Sequence, residues 1–416
     1  MHDLVKAALA AVCRFCGAAA VRFLCMPVRL FSALTLTLSL VVVSCGGVGT
    51  GGTGTFAIGP ITGLGSIFVS GVRFDDSAAE VRNDDGVSLT PSALQIGMTV
   101  AVEAGATSAA AGDTVAQATR VTLNSEIVGP ASAIDSASGT LTVLGQRVRV
   151  TSGTVFDPSM LAGLSSLVSG QVLQIYGFYD GFAGSYTATR IESAQGASLW
   201  RLRGALSEVD AVATTLRVGQ ATLGYGSAAN VPADLATAVA ERRTVRLRLA
   251  PEMRAPGRFE ILSFAASPDA LGDVDDFRVS GVVTALASST RFSIAGVPVD
   301  ATAAVVQGAT RLKIGALAQA RGPSRGGVVQ AVTVLLPEEN SFLNGFAFQG
   351  AIERLDMSAQ TFVIKGTTIW WGRPQPQELA VLPAGSKLSE LAVGRQIRVR
   401  AVNANSRLEA TLINLQ

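Results

Sequence analysis

The chain has 416 residues, of which 48% are hydrophobic and 15% are charged, and its 33 Lys and Arg nearly balance its 31 Asp and Glu. This apolar content suffices for a buried core and excludes a globally disordered chain. The single histidine is His2, and the last of the four cysteines is Cys45. Beyond Cys45, Ser–His–Asp and Cys–His catalysis is therefore excluded, as are zinc sites built from His or Cys. We expect no catalytic residue, no metal site and no cofactor.

An export signal lies near the N-terminus. One basic residue, Arg29, precedes an apolar run from Leu30 to Val43. The run has the length of a signal-peptide core and is too short to span a bilayer comfortably. It ends in Val42-Val43-Ser44-Cys45, which resembles a bacterial lipobox. We expect residues 26–44 to be a lipoprotein signal peptide and Cys45 to carry the lipid; a stop-transfer anchor or a buried strand is the alternative.

The segments on either side of this signal have simple interpretations. Residues 1–25 contain arginines within their apolar stretches, so we expect them to be a mis-annotated extension, with translation starting at Met26. Residues 45–55 are Gly-rich, as in a flexible tether. Residue 46 is Gly rather than Asp. In a host with two membranes, resemblance to sorted lipoproteins would then imply the outer membrane, facing periplasm or surface. Residues 46–416 contain 29 basic and 30 acidic side chains, so the charge balance does not favour a nucleic-acid partner.

A glycine-led block recurs five times in the rest of the chain. Its leading residues are Gly59, Gly129, Gly204, Gly281 and Gly350, separated by 70, 75, 77 and 69 residues. After a gap, each block continues with alternating apolar residues around a second glycine. A Leu-x-x-Gly-x-x-Val-x-Val pattern follows, clear in the first, second and fifth blocks and degenerate in the third and fourth. The period of two predicts half-buried strands, and the glycines mark turns or bulges.

The order of these signals predicts the fold. Each repeat has about five strands, and short helix-like stretches, such as Asp157–Leu167, Pro232–Glu241 and Leu382–Leu391, precede the fourth strand. We therefore predict an all-β chain of five tandem OB-fold-like barrels, each about 70–77 residues long. SH3-like barrels or sandwich modules would give the same signals. The predicted repeats are 56–124, 125–198, 199–268, 277–341 and 342–416, with an acidic linker at 269–276.

One stretch carries a family resemblance. Residues 59–75, GPITGLGSIFVSGVRFD, resemble the uncharacterised bacterial family labelled domain of unknown function 5666, which occurs in tandem in exported lipoproteins. The second and fifth repeats also resemble this family, whereas the third and fourth depart from it at the Leu-x-x-Gly pattern. The resemblance covers nearly all of residues 56–416. It implies the fold and an envelope location, and it implies no activity and no catalytic residues.

Aromatic residues are concentrated in one predicted hairpin of the second repeat. They are Tyr176, Phe178, Tyr179, Phe182 and Tyr186, in a chain that is only 6% aromatic. Exposed rings of this kind form stacking platforms for sugars or interface hot spots. The alternative is that alternate rings fill the barrel and the others cover its mouth. We treat these five residues as candidate ligand-binding residues.

A tryptophan pair and an arginine pattern provide the other candidates. Trp370 and Trp371 are adjacent, so on a strand they point to opposite faces; we take Trp371 as the candidate ligand residue, and packing between repeats is the alternative. Arginines alternate with aliphatic residues at positions 201, 203, 246 and 248. If Arg201, Arg203, Arg246 and Arg248 share a face, they form a ladder suited to phosphate, sulfate or carboxylate groups. A plain solvated sheet face is the alternative.

Two acidic clusters complete the inventory. They comprise Asp75, Asp76, Glu80, Asn83, Asp84 and Asp85, and then Asp269, Asp273, Asp275 and Asp276. Neither has the spacing of an EF-hand, so we interpret them as a turn and a linker. Two facing carboxylates are sufficient for glycoside hydrolysis without histidine, but a sequence does not show which carboxylates face each other.

The sequence therefore predicts a non-catalytic envelope protein. It would be held on the membrane through Cys45 and act as a binding or scaffolding module for a glycan or an envelope protein. The alternatives are a carboxylate-based carbohydrate-active enzyme and a passive surface spacer. The ligand and the oligomeric state stay open.

Overall fold

The computed structural model describes residues 52–416 except 111, 161, 181–182, 242, 266–271, 339–344, 373–378, 385 and 405. The predicted signal peptide, Cys45 and most of the predicted tether lie outside the described residues. The described residues belong to one compact unit, and everything below concerns that unit. Across the part of the chain that is described, no helix is long and apolar enough to cross a membrane.

The first barrel follows the tether. Its strands are β1 (Gly52–Leu64), β2 (Ile67–Val69), β3 (Val72–Asp75), β4 (Glu80–Asn83), β5 (Ser88–Leu89), β6 (Thr99–Ala104), β7 (Ser108–Ala110) and β8 (Asp113–Leu123). Pairing runs β1–β2–β3–β8–β6 and back to β1, which closes a ring. Only the β3–β8 pair of this ring is parallel. A small Greek-key barrel of the OB type has this closed arrangement of five strands.

The second and third barrels have the same ring of pairings. The second contains β9 (Ile127–Asp135), β10 (Thr140–Val143), β11 (Gln146–Arg149), β12 (Val155–Phe156), β13 (Val172–Asp180) and β14 (Ser185–Ser193). The third contains β15 (Trp200–Asp210), β16 (Thr215–Val218), β17 (Ala221–Gly224), β18 (Thr244–Ala255) and β19 (Arg258–Phe264). The rings close through β13–β9 and β18–β15. Their parallel pairs are β11–β14 and β17–β19.

The remaining strands form two further rings. The first of these has β20 (Val274–Leu286), β21 (Arg291–Ile294), β22 (Val297–Asp300), β23 (Val305–Gln307), β24 (Leu317–Arg325), β25 (Val328–Gln330) and β26 (Thr333–Leu335). The second has β27 (Phe346–Ala351), β28 (Arg354–Asp356), β29 (Thr361–Ile364), β30 (Thr367–Trp370), β31 (Ala380–Leu382), β32 (Gln396–Ala404) and β33 (Arg407–Leu415). They close through β24–β20 and β32–β27. The fold class is confirmed: the described chain is nearly all β and consists of small closed barrels.

The second glycine of each repeated block is a hairpin turn. Ser70-Gly71, Leu144-Gly145, Ala295-Gly296 and Lys365-Gly366 all have positive φ at both residues. This is the geometry of a type I′ turn, whose twist matches that of the flanking strands. In the third barrel the two-residue loop is Gly219-Gln220, and only Gly219 has a positive φ. The recurrence of glycine in the sequence therefore reflects the left-handed backbone that these two-residue loops need.

The helices are shorter than the sequence predicted. Single 3-10 turns lie at Pro91–Ala93, Gly163–Ser166, Ala309–Arg311 and Leu388–Glu390, and the one α-helix of the described residues is α1 (Leu235–Ala240). Each precedes the strand that closes its barrel, as expected. The predicted extents were too long because these segments only need to cross the end of a small barrel.

The barrels pack directly on one another. β1 pairs in parallel with β20 and, at its end, with β27, while β9 pairs with β15. As a result the first and fifth barrels share one hydrophobic core cluster, and the second and third share another. The fourth has its own cluster, against which Phe56 and Ile58 of β1 pack.

Two predicted boundaries need correction. The tether was expected to extend to residue 55, but β1 begins at Gly52 because Gly52 and Thr55 pair with Val274 and Asp276. For the same reason residues 274–276 are part of β20 and not of an acidic linker. Pairing with a strand of another barrel, which a local pattern does not reveal, orders both segments.

Candidate functional site

Four arginines meet on the third barrel. Strands β15 and β18 are antiparallel neighbours, and their register places Arg201 opposite Arg248 and Arg203 opposite Arg246. Their aliphatic neighbours point the other way into the barrel, as the alternation requires. The four arginines therefore lie side by side on one face of the sheet, as the hypothesis of an arginine ladder requires. The four guanidinium groups are half-buried and do not form a plain solvated face.

The first barrel supplies carboxylates to one end of the ladder. Asp85 accepts hydrogen bonds from Arg201 and from Nε of Arg248, the latter at 2.9 Å. The adjacent Asp84 lies 3.9 Å from Nε of Arg201. A tight turn holds both carboxylates in place, since Oδ1 of Asn83 accepts N–H bonds from Asp85 and Val87 at 3.0 and 2.9 Å. The acidic turn of the first repeat therefore reaches across to the third barrel.

Glu126 supplies a carboxylate to the other end. Its backbone N–H donates to Ile175 and its carbonyl accepts from the N–H of Arg203, so strands of two barrels fix its position. Its side chain is 3% exposed, and Oε1 accepts from Arg203 at 2.8 Å. Glu126 raises the pKa of Arg203. Oε2 of Glu126 has no hydrogen-bond partner among the described residues.

The positive charges of the four arginines are not completely balanced by carboxylates at this junction. Burial raises the pKa of Asp84 above its ordinary value, against the opposing influence of Arg201. Burial also lowers the pKa of Arg246, and Arg203 lowers it further. Arg246 donates to Oδ1 of Asn124 at 3.2 Å, a neutral acceptor. Four arginines thus face three carboxylates, and the site favours one further anionic group.

Two cavities adjoin the arginine ladder. The larger, which we name the junction cavity, has a volume of about 790 Å³ and lies between the first three barrels. Its polar lining includes Asn83, Asp84, Asp85, Gln95, Gln174, Tyr176, Glu192, Arg201 and Arg248. A smaller space of about 160 Å³ continues it along all four arginines and past Ser125. A concave space lined by a few convergent polar groups is the usual form of a small-molecule site.

Three buried polar atoms of residues that line these spaces have no hydrogen-bond partner among the described residues. They are Oγ of Ser125, Oε2 of Glu126 and Nε of Arg201. Each such group costs stability unless something hydrogen-bonds to it. Their clustering at one junction is therefore what a ligand site requires.

The aromatic hairpin is mostly interior. Tyr176, Phe178 and Tyr186 are 3%, 4% and 0% exposed, so the prediction that they form an exposed stacking platform is wrong for these three. Tyr186 is in the core that the second and third barrels share, and Tyr176 packs into the core of the first and fifth barrels. Phe178 lies beside Gly281 of the fourth barrel, so Tyr176 and Phe178 are buried by packing between barrels. Tyr179 is half-buried and faces a further cavity described below. Phe182 lies outside the described residues.

The burial of the two tryptophans is also the opposite of the prediction. Trp371 is 7% exposed and stacks on Phe362, with ring centroids 5.3 Å apart, so it is a core residue and not a ligand residue. Trp370 is half-buried and lies under the guanidinium of Arg407 at 5.4 Å. The two rings do take opposite faces, as adjacent strand residues must.

Two residues of this junction were missed by sequence reasoning. Ser125 and Glu126 sit in the short connection between β8 and β9, and no motif surrounds them. Asp84 and Asp85 were noticed but interpreted only as a turn.

A known protein family matches the segment that forms the second barrel. No curated protein matches the chain. Residues 128–192, which run from β9 to β14 and span the second barrel, match the model of the family described as Domain of unknown function (DUF5666). The resemblance inferred from the sequence is thereby confirmed over this segment. The similarity to the DUF5666 family is therefore shown for residues 128–192.

Proposed function

We propose that the protein is a non-catalytic lipoprotein of the cell envelope and that it binds an acidic glycan in the junction cavity. The observation that carries this proposal is the arginine ladder, which lies beside a 790 Å³ space with Ser125 and Arg201 atoms left unpartnered. Carboxylate or sulfate groups match the planar guanidinium donors. Amides of Gln95 and Gln174 line the same space and suit sugar hydroxyls.

A glycan array probed with the full chain in detergent tests this proposal. Binding to uronic-acid or sulfated glycans is expected, with weak or no binding to neutral ones of the same length. Arg248→Gln should weaken it at least about tenfold, because charge-assisted hydrogen bonds contribute about 1.5–3 kcal/mol. Arg217→Gln is the matched control, since Arg217 sits on β16 in an exposed pair with Glu208. Equal effects of the two variants would contradict the assignment.

The envelope location has a separate test. Lipidation at Cys45 would tie the first barrel closely to the membrane, since β1 begins at Gly52. Cys45→Ser is expected to release the protein from membranes into the soluble fraction. A variant that stays in the membrane fraction would contradict the lipid anchor. That outcome would not bear on the proposed glycan site.

One observation favours an enzyme as the second candidate. Burial raises the pKa of Asp84, while its neighbour Asp85 is bound by two arginines. Hydrolysis of a glycosidic bond uses two carboxylates in different roles, and these two carboxylates differ in burial and in arginine contacts. Incubation with the array's binding glycans, followed by chromatography, separates the two functions. Cleavage that Asp84→Asn abolishes would support the enzyme, and recovery of intact glycan supports the binding module.

A further inference from the structure

A second cavity lies beyond Glu126. It has a volume of about 520 Å³ and is lined by the second, third and fourth barrels, and we name it the Glu126 cavity. Its lining includes Glu126, Phe178, Tyr179, Arg203, Leu286 and Ile314. It touches the ladder only through Glu126 and Arg203, so it is distinct from the junction cavity.

The polar groups of this cavity offer both an acceptor and a donor. Glu126 is 3% exposed and its Oε2 has no partner among the described residues. The hydroxyl of Tyr179 accepts the N–H of Ala205 at 3.3 Å, which leaves its own hydrogen to donate. Since a buried carboxylate oxygen without a donor is costly, Oε2 favours a ligand that brings one.

The charges around Oε2 of Glu126 favour a neutral hydrogen-bond donor over a cation as its partner. Glu126 is already paired with Arg203 at 2.8 Å through Oε1. An ammonium group bound at Oε2 would lie close to that guanidinium, and like charges repel strongly at low dielectric. A hydroxyl meets the same oxygen without that repulsion.

The apolar groups of the cavity suit the carbon face of a sugar ring. The Tyr179 ring is half-buried and packs against Tyr186, with centroids 4.8 Å apart, so its position is fixed. Leu286 and Ile314 supply aliphatic surface from the fourth barrel. An aromatic ring beside a few hydrogen-bonding groups binds a molecule that is apolar on one face and polar at its edge.

We infer that the Glu126 cavity binds a neutral sugar unit, with a ring hydroxyl donating to Oε2 of Glu126 and accepting from Tyr179. This inference shares with the proposed function the idea of a glycan ligand and the pair of Glu126 and Arg203, which lies between the two sites. The two sites are separable, because the Glu126 cavity selects an uncharged hydroxyl compound and the ladder selects an acid.

Ligand-detected NMR on the full chain in detergent tests it, with a panel of neutral methyl glycosides as probes. Binding of at least one glycoside is expected. Glu126→Gln should weaken it at least about tenfold, because the amide removes the charged acceptor. Tyr179→Phe, which keeps the ring, should weaken it by a smaller factor.

Two cavity-filling variants distinguish the two sites. They also control for misfolding, because each should impair binding at one site and leave binding at the other intact. Ile314→Trp fills the Glu126 cavity without removing a polar group, and Leu199→Trp fills the junction cavity instead. The first should abolish neutral glycoside binding and spare acidic glycan binding, and the second should do the reverse. The inference is overturned if no glycoside binds, or if binding survives both Glu126→Gln and Ile314→Trp.

Discussion

At the scale of single residues, Tyr186 shows how a polar atom can be left unsatisfied. The ring is fully buried in the second barrel, and its hydroxyl has no partner within the described structure. Burial raises its pKa well above the ordinary value, so it stays a neutral phenol. The ring contributes to the core through its apolar area, while the hydroxyl opposes folding.

Removing that hydroxyl should stabilise the protein. Tyr186→Phe keeps the ring and is expected to raise the free energy of unfolding by about 1 kcal/mol. Urea denaturation followed by circular dichroism measures the change. Tyr179→Phe is the control and should be destabilising, because its hydroxyl accepts the N–H of Ala205. Loss of stability in Tyr186→Phe would mean that the hydroxyl does have a partner.

Asp276 should make stability depend on pH. Burial raises the pKa of its carboxyl, but hydrogen bonds from Arg278 and Arg321 act more strongly together and lower it. A carboxyl whose pKa is lower in the folded state stabilises the protein above about pH 4, and the effect is lost as the pH falls through the folded pKa.

We expect Asp276→Asn to cost about 2 kcal/mol at pH 6, since it leaves the buried Arg278 without its carboxylate. The difference from wild type should shrink as the pH is lowered to 2.5, as thermal melts at both pH values would show. Asp275→Asn serves as the control, because its pair with Arg325 is exposed and contributes little. An unchanged difference at pH 2.5 would refute the linkage.

At the scale of elements, the Leu-x-x-Gly turn recurs in the first, second, fourth and fifth barrels, and in the first barrel it also makes a contact between barrels. Gly97 and Gly170 occupy equivalent positions with φ of +84° and +87°. Gly97 also lies against the second barrel, and Thr189 donates to its carbonyl at 2.6 Å. A Cβ on Gly97 would approach the Thr189 carbonyl to 2.6 Å, whereas Gly170 has open space around it.

This difference makes a matched pair of variants. Gly170→Ala should cost only about 1–2 kcal/mol for the left-handed backbone. Gly97→Ala should cost about 1–3 kcal/mol more, because the first and second barrels must also shift apart. Urea midpoints of the two variants against wild type measure both effects. Equal costs would show that the contact between the barrels contributes nothing.

At the scale of the whole described unit, the barrels are joined through shared strands rather than strung on linkers. β1 alone pairs with strands of the first, fourth and fifth barrels. The carboxylates that meet the arginine ladder come from the first and second barrels. Because each ligand cavity is walled by three barrels, a site exists only when those barrels are folded and packed.

Unfolding should therefore be cooperative across barrels. Differential scanning calorimetry of the full chain is expected to show one main transition, since separating any barrel exposes strand edges and core shared with another. Adding an acidic glycan that binds should raise its midpoint, because ligand binding stabilises the folded state. Five well-resolved transitions would indicate independent barrels and favour a passive spacer.

The sequence by itself determined what depends on neighbours along the chain. Alternation of period two predicted the strands, the recurring glycines marked the type I′ hairpins, and the alternating arginines predicted a ladder. Each of these follows from backbone geometry within a few residues. The confirmed barrel fold and the DUF5666 segment belong to this category.

Only the tertiary structure decided which groups face that ladder. Asp85 is 116 residues from Arg201 and 163 from Arg248, and Glu126 is 77 from Arg203. Such contacts depend on how the outer surfaces of whole barrels fit together, which no local pattern encodes. The exposure of Tyr176 and Trp371 was misjudged for the same reason, since burial is set by everything that packs around a residue and not by the residue's own type.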